Sequence, residues 1–142
     1  MYKKIFCPID GSETSNRGMA EATRFAKDQN AELCFCHVVD NSALVMYSPV
    51  IESAFEALRE SGRKLLDAAV QQASAAGVST SLRMSEIMVG RPADTIVEEA
   101  KRFHADLIVM GTHGRRGLSR LLLGSDALAV LTLSEVPVLL VK

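Results

Sequence analysis

Short apolar runs alternate with amphipathic stretches along this sequence, and that alternation constrains the fold more than any other feature. KKIFCPI at residues 3–9, ELCFCHVV at 32–39, DLIVMG at 106–111 and VPVLLV at 136–141 read as strands. ELCFCHVV is almost wholly apolar, as a strand covered on both faces must be. VSTSLRMSE at 78–86 alternates and is more polar, which suits a sheet edge. Between the strands, apolar residues recur at helical spacing: Met19, Ala22, Phe25 and Ala26, then Ile51, Phe55, Leu58, Gly62, Leu65, Leu66, Ala69 and Ala73, then Ile96, Val97, Ala100 and Phe103. Strict alternation of this kind implies a parallel sheet with helices on both faces, and right-handed crossovers leave few arrangements. The predicted fold is a doubly wound α/β domain spanning residues 1–142, with a five-stranded parallel sheet of order 3-2-1-4-5.

Local signals set the boundaries. DGSETS makes a turn in which Ser12 is the N-cap of the first helix. Gly18, inside that helix, weakens it. Residues 40–50 show no period, contain Pro49 and read as a loop. Gly77 ends the long helix, and Pro92 stands near the first position of the next. Ser125 is the expected N-cap of a last helix over residues 125–134.

In an open α/β sheet, ligands bind beyond the carboxyl ends of the strands, where the strand order reverses. With order 3-2-1-4-5 that point lies between the first and fourth strands. The loops that follow them are PIDGS and GTHGRRG, the latter opening GTHGRRGLSRLLLGS at 111–125. Glycine lets the backbone approach a ligand closely and adopt positive φ. Successive N–H groups can cradle an anion, and Gly124-Ser125 opens a helix whose N-terminus favours phosphate. Arg115, Arg116 and Arg120 add positive charge. The stretch therefore reads as a phosphate site. Gly124 is followed by Ser125 and not by lysine, so this is no P-loop of the G-x-x-x-x-G-K-[ST] type. The dinucleotide fingerprint G-x-G-x-x-G belongs after the first strand, and here G-x-x-G follows the fourth.

What remains is G-x2-G-x9-G-S, carried by Gly111, Gly114, Gly124 and Ser125. It resembles the ATP-binding motif of the universal stress protein family. KKIFCPIDGSETS resembles that family's first strand and turn, CHVVD its second strand, and PVLLVK its last, so the resemblance runs along essentially the whole chain. It implies a flavodoxin-like fold that binds ATP, alone or with Mg2+, as a nucleotide-responsive stress regulator. By that resemblance Pro8, Ile9 and the backbone around Val38 hold adenine. Asp10 lies near ribose or a metal-bridged phosphate, which makes it the candidate metal ligand. Gly111 lies near ribose, and Gly114, Gly124 and Ser125 surround the phosphates. Met110, His113, Arg115 and Asp126 complete the candidate set. The family also implies a homodimer paired through the last strand, here Val136, Val138 and Leu140, an apolar run at a sheet edge that needs cover.

Asp126 departs from the small or apolar residue that often follows G-S in the family. It stabilises the first turn of a helix by about 0.3–1 kcal/mol, yet repels a nearby phosphate unless Mg2+ or arginine intervenes. It favours the alternative reading, a dimeric interaction module of the same fold that binds no nucleotide. His113 has no second base or nucleophile beside it in sequence. No catalytic set is visible, and slow ATP hydrolysis is the most that would be expected. A phosphoacceptor domain would need an acidic cluster after the first strand, where Asp10 stands alone. A serine–glycine pyrophosphatase loop is not matched by DGSETS.

A net charge of −1 argues against bulk electrostatic binding of nucleic acid or membranes. No apolar run reaches the ~18 residues of a membrane span, and MYKKIFCPID is too short and polar for a signal peptide. Cys7, Cys34 and Cys36 form no disulfide framework and read as buried thiols of a cytoplasmic protein. His37 and His104 read as structural. Met46, Met84, Met88 and Met110 are expected to fill core or pocket gaps.

Overall fold

The computed structural model describes residues 1–46, 52–113 and 122–142. The elements follow in the order β1 (Lys4–Pro8), α1 (Glu13–Gln29), β2 (Glu32–Asp40), α2 (Ser42–Val45), α3 (Glu52–Ala75), β3 (Thr80–Ile87), α4 (Pro92–Phe103), β4 (Leu107–Gly111), α5 (Ser125–Leu133) and β5 (Val138–Val141). The sheet is parallel throughout, with order β3-β2-β1-β4-β5, as the alternation predicts.

The period-two geometry of each strand divides its side chains between two layers. Ile5, Cys7 and Ile9 point with Leu33, Phe35 and Val109 into a core closed by Ala22 and Ala26 of α1 and by Leu66, Ala69 and Ala73 of α3. Phe6, Cys34, Cys36, Ile108 and Met110 point the other way, against Ile96, Val97, Ala100 and Phe103 of α4 and Val130 of α5. Each fully buried large side chain contributes roughly 1.5–3 kcal/mol. The apolar stripes read from sequence in the first and fourth helices, and in the described part of the third, are therefore the buried faces. Cys34 and Cys36 share one face, and all three thiols are free and buried.

The ends of the helices follow their local chemistry. Ser12 caps α1 by accepting from the Ser15 N–H at 3.3 Å. Pro92 occupies the first turn of α4, and His104 ends that helix in the left-handed conformation with φ 58°.

Four expectations need correction. Residues 42–45 are not loop but one helical turn, held by Asp40 Oδ1, which accepts from Ser42 N at 3.0 Å, and by Val45 N donating to Asn41 O at 3.0 Å. A single turn is too short to show a period. The N-cap of α5 is Gly124, with Ser125 the first helical residue. Met46 is 85% exposed and Met88 is also exposed, whereas Met84 packs against the core and Met110 is buried. Gly18 does not merely weaken α1: a Cβ there would lie 3.0 Å from Gly111 N and 3.2 Å from Met110 C, so its absence lets the helix sit directly on β4.

Candidate functional site

The sheet order reverses between β1 and β4, and a cleft of about 480 Å3 opens at the carboxyl ends of the strands there. Pro8, Ile9, Asp10, Val38, Met110, Gly111, His113, Gly124, Ser125 and Asp126 all line it. Gly114 and Arg115, with Arg116 and Arg120, lie outside the described residues.

Backbone continuity from β1 builds one wall. Ile9 N donates to Cys36 O at 2.8 Å, so the β1–β2 ladder extends past Pro8. His37 Nδ1 meets Ile9 O at 2.8 Å, and its ring is buried in the cleft wall, the structural role read from the sequence. Asp10 Oδ1 accepts from Ser12 N at 2.9 Å and Asp10 N donates to Ser15 Oγ at 3.0 Å, forming a tight turn whose apex, Gly11, needs φ 83°.

This turn is tied to the end of β4. Ser12 Oγ donates to His113 O at 3.3 Å, Thr14 Oγ1 donates to the same oxygen, and His113 N donates to Thr14 Oγ1 at 3.2 Å. Gly111 sits against the start of α1: a Cβ there would lie 2.5 Å from Thr14 C and 2.7 Å from Ser15 N. The glycine at 111 is thus required by the helix. It has no positive φ, and Gly124 has φ −60°, open to any residue, so left-handed backbone explains neither. Gly124 N donates to Thr112 O at 2.7 Å, which brings the two ends of the glycine-rich segment together at the cleft.

The polar groups facing the cleft are suited to an anion. α5 begins at Ser125 and α4 at Pro92, and neither N-cap residue, Gly124 or Arg91, makes a side-chain capping hydrogen bond. The first N–H groups of a helix lack intrahelical partners, and both helix dipoles present their positive ends. Among the described residues His113 Nε2 is buried with no hydrogen-bond partner, while Nδ1 lies 2.9 Å from Thr112 Oγ1. Among the described residues no three His, Cys, Asp or Glu side chains are grouped to hold a metal ion.

Sequence reasoning missed Asp40 and Ser42 after β2, Leu58 and Ser61 of α3, and Arg91 with Ile96 at the start of α4, all of which line the cleft. A signal for Arg91 was present. Pro92 marks a helix start after a strand, and in this fold every such start faces the ligand end of the sheet.

A doubly wound parallel sheet with a cleft at its switch point, walled by helix N-termini, defines a domain of flavodoxin-like fold. The model of the universal stress protein family matches residues 1–142, and the chain belongs to that family. It is 42% identical over 144 residues to a universal stress protein of Methanocaldococcus jannaschii, MJ0531, covering 100% of this chain and 83% of that protein. The solved structure of MJ0577, from the same organism, is 29% identical with a TM-score of 0.87, over 100% of this chain and 96% of that one. A universal stress protein crystallised in complex with cAMP is 28% identical with a TM-score of 0.73, over 99% of this chain and 97% of its own. No helix among the described residues is long and apolar enough to cross a membrane.

Proposed function

We propose that this chain binds ATP in the switch-point cleft and acts as a nucleotide-responsive stress regulator in the cytoplasm, as a homodimer paired through β5. The observation that carries the reading is the cleft itself. It brings a buried apolar slot at Pro8, Ile9, Val38 and Met110 next to the uncapped start of α5. The slot suits a flat base, and the helix start suits phosphate. His113 Nε2, which has no partner among the described residues, is an atom that a ribose hydroxyl or phosphate would satisfy. The relative crystallised with cAMP supports an adenine nucleotide as the ligand class. Mg2+ is typically held by one or two carboxylates plus phosphate oxygens and water, so Asp10 would be its protein ligand, with the nucleotide supplying others. The cation's chemistry there is charge neutralisation of the phosphates. Three free thiols suit a reducing compartment.

Ser125→Glu separates binding from folding. Ser125 is exposed in the first turn of α5, where an added carboxylate stabilises the helix by about 0.3–1 kcal/mol. The same charge stands where phosphate would bind. Calorimetry should show MgATP binding to the wild type and at least tenfold weaker binding to a Ser125→Glu variant of undiminished melting temperature. Absence of binding by the wild type at millimolar MgATP refutes the reading and leaves the interaction module.

A further inference from the structure

Arg91 is the only lysine or arginine among the described residues that line the cleft. Arg91 is the N-cap of α4, in extended conformation with φ −111° and ψ 139°. Its guanidinium is held in a fork by Asp94, three residues along the same helix, with Nε–Oδ2 3.1 Å and Nη2–Oδ1 3.0 Å. Both side chains are more than half exposed, so water competes for each bond and the pair contributes little to folding.

Asp94 raises the Arg91 pKa through its hydrogen bonds and then its charge, burial opposes slightly, and Asp126 adds in the same sense as Asp94. Asp126 belongs to the first turn of α5. The starts of α4 and α5 both line the cleft, with Arg91 at one and Asp126 at the other. A guanidinium meets phosphate as it meets carboxylate, through two parallel N–H···O bonds. Moving from an exposed aspartate to a doubly charged phosphate at two helix N-termini gives it a stronger partner at little cost.

We propose that Arg91 is the phosphate-recognising residue of this cleft, exchanging Asp94 for the nucleotide phosphate, so that the site selects phosphorylated adenine compounds over the bare nucleoside. This rests on the nucleotide reading above and deepens it. Arg91 comes from a different loop than the arginines of the glycine-rich segment.

The test is calorimetry of the full chain with adenosine, AMP and MgATP, at low and moderate salt. The wild type should prefer AMP and MgATP to adenosine. Arg91→Met, which removes no side-chain cap, should bind both nucleotides at least tenfold more weakly and adenosine unchanged. Arg91→Lys should fall between. An Arg91→Met protein that binds nucleotides within twofold of wild type overturns the proposal alone, as does an equal loss for adenosine and nucleotides. A wild type that binds none of the three overturns both this proposal and the nucleotide reading.

Discussion

Gly111→Ala should destabilise the protein in the absence of any ligand, because Gly111 is where β4 meets the start of α1. The added methyl would stand 2.5 Å from Thr14 C and 2.7 Å from both Thr14 O and Ser15 N. Carbon atoms in contact ordinarily lie about 3.5–4.0 Å apart, so α1 and β4 must separate by roughly 1 Å. The obstruction is backbone and cannot rotate away. Overpacking costs about 1–3 kcal/mol. The same separation stretches the bonds from Ser12 Oγ to His113 O and from His113 N to Thr14 Oγ1, each contributing about 0.5–1.5 kcal/mol. Reduced freedom of the unfolded chain returns about 0.4–1 kcal/mol. The net loss is about 1–5.6 kcal/mol. At roughly 2–4 °C per kcal/mol for a chain slightly larger than this one, melting should fall by about 2–22 °C. Urea denaturation and calorimetry without nucleotide measure it. Gly124→Ala is the control, since φ −60° and ψ 152° suit alanine, and it should shift melting far less. A Gly111→Ala protein that melts within 2 °C of wild type would refute the packing argument and return Gly111 to the ligand.

Three further outcomes are expected. Glu99 is buried, at 7% exposure, and accepts from Arg83 Nη1 at 2.9 Å and Arg102 Nη1 at 2.7 Å. Burial pushes its pKa up but the two arginines outweigh it, leaving it below the ordinary value. Its stabilising contribution is complete above the unfolded pKa and is lost as pH falls through the lowered folded one. Glu99→Gln should cost about 1–3 kcal/mol at pH 7 and flatten the acid limb of a stability–pH curve; an unchanged acid limb would count against it. Burial raises the pKa of all three cysteine thiols, so a thiol reagent should react only as the chain unfolds, and rapid labelling of the native protein would contradict this. Sedimentation should give a dimer at micromolar concentration, as the half-buried edge strand β5 implies; a pure monomer would remove β5 as an interface.

The layers of the fold were legible because burial on two faces writes itself into composition. ELCFCHVV could be no surface strand, and VSTSLRMSE could be no central one. Right-handed crossovers left few strand orders once the alternation was recognised, and the expected 3-2-1-4-5 is the one observed. The glycine motif led to the end of the sheet where the cleft opens, but not to the reason for Gly111, which lies in Thr14, ninety-seven positions earlier along the sequence. Gly18 shows the same limit of local reading: helix propensity marks it as a weakness, while its tertiary neighbour makes it a fit. Ser125 was misplaced by one position because serine is the better capping residue on average, whereas here Gly124 is held by Thr112 O. Arg91 stands alone in sequence beside Pro92, whereas Arg115, Arg116 and Arg120 cluster in the glycine-rich segment and dominate the local charge pattern.

The hydrogen bond from Gly124 N to Thr112 O has a consequence for how such a protein can diversify. It pins together the points where the chain leaves β4 and re-enters at α5, so everything between them is bounded by a fixed clasp. Loop-closure entropy grows slowly with length, about 0.6 kcal/mol per doubling. Changes of length between His113 and Gly124 should therefore cost the sheet little, because the two ends of the segment stay where this bond holds them.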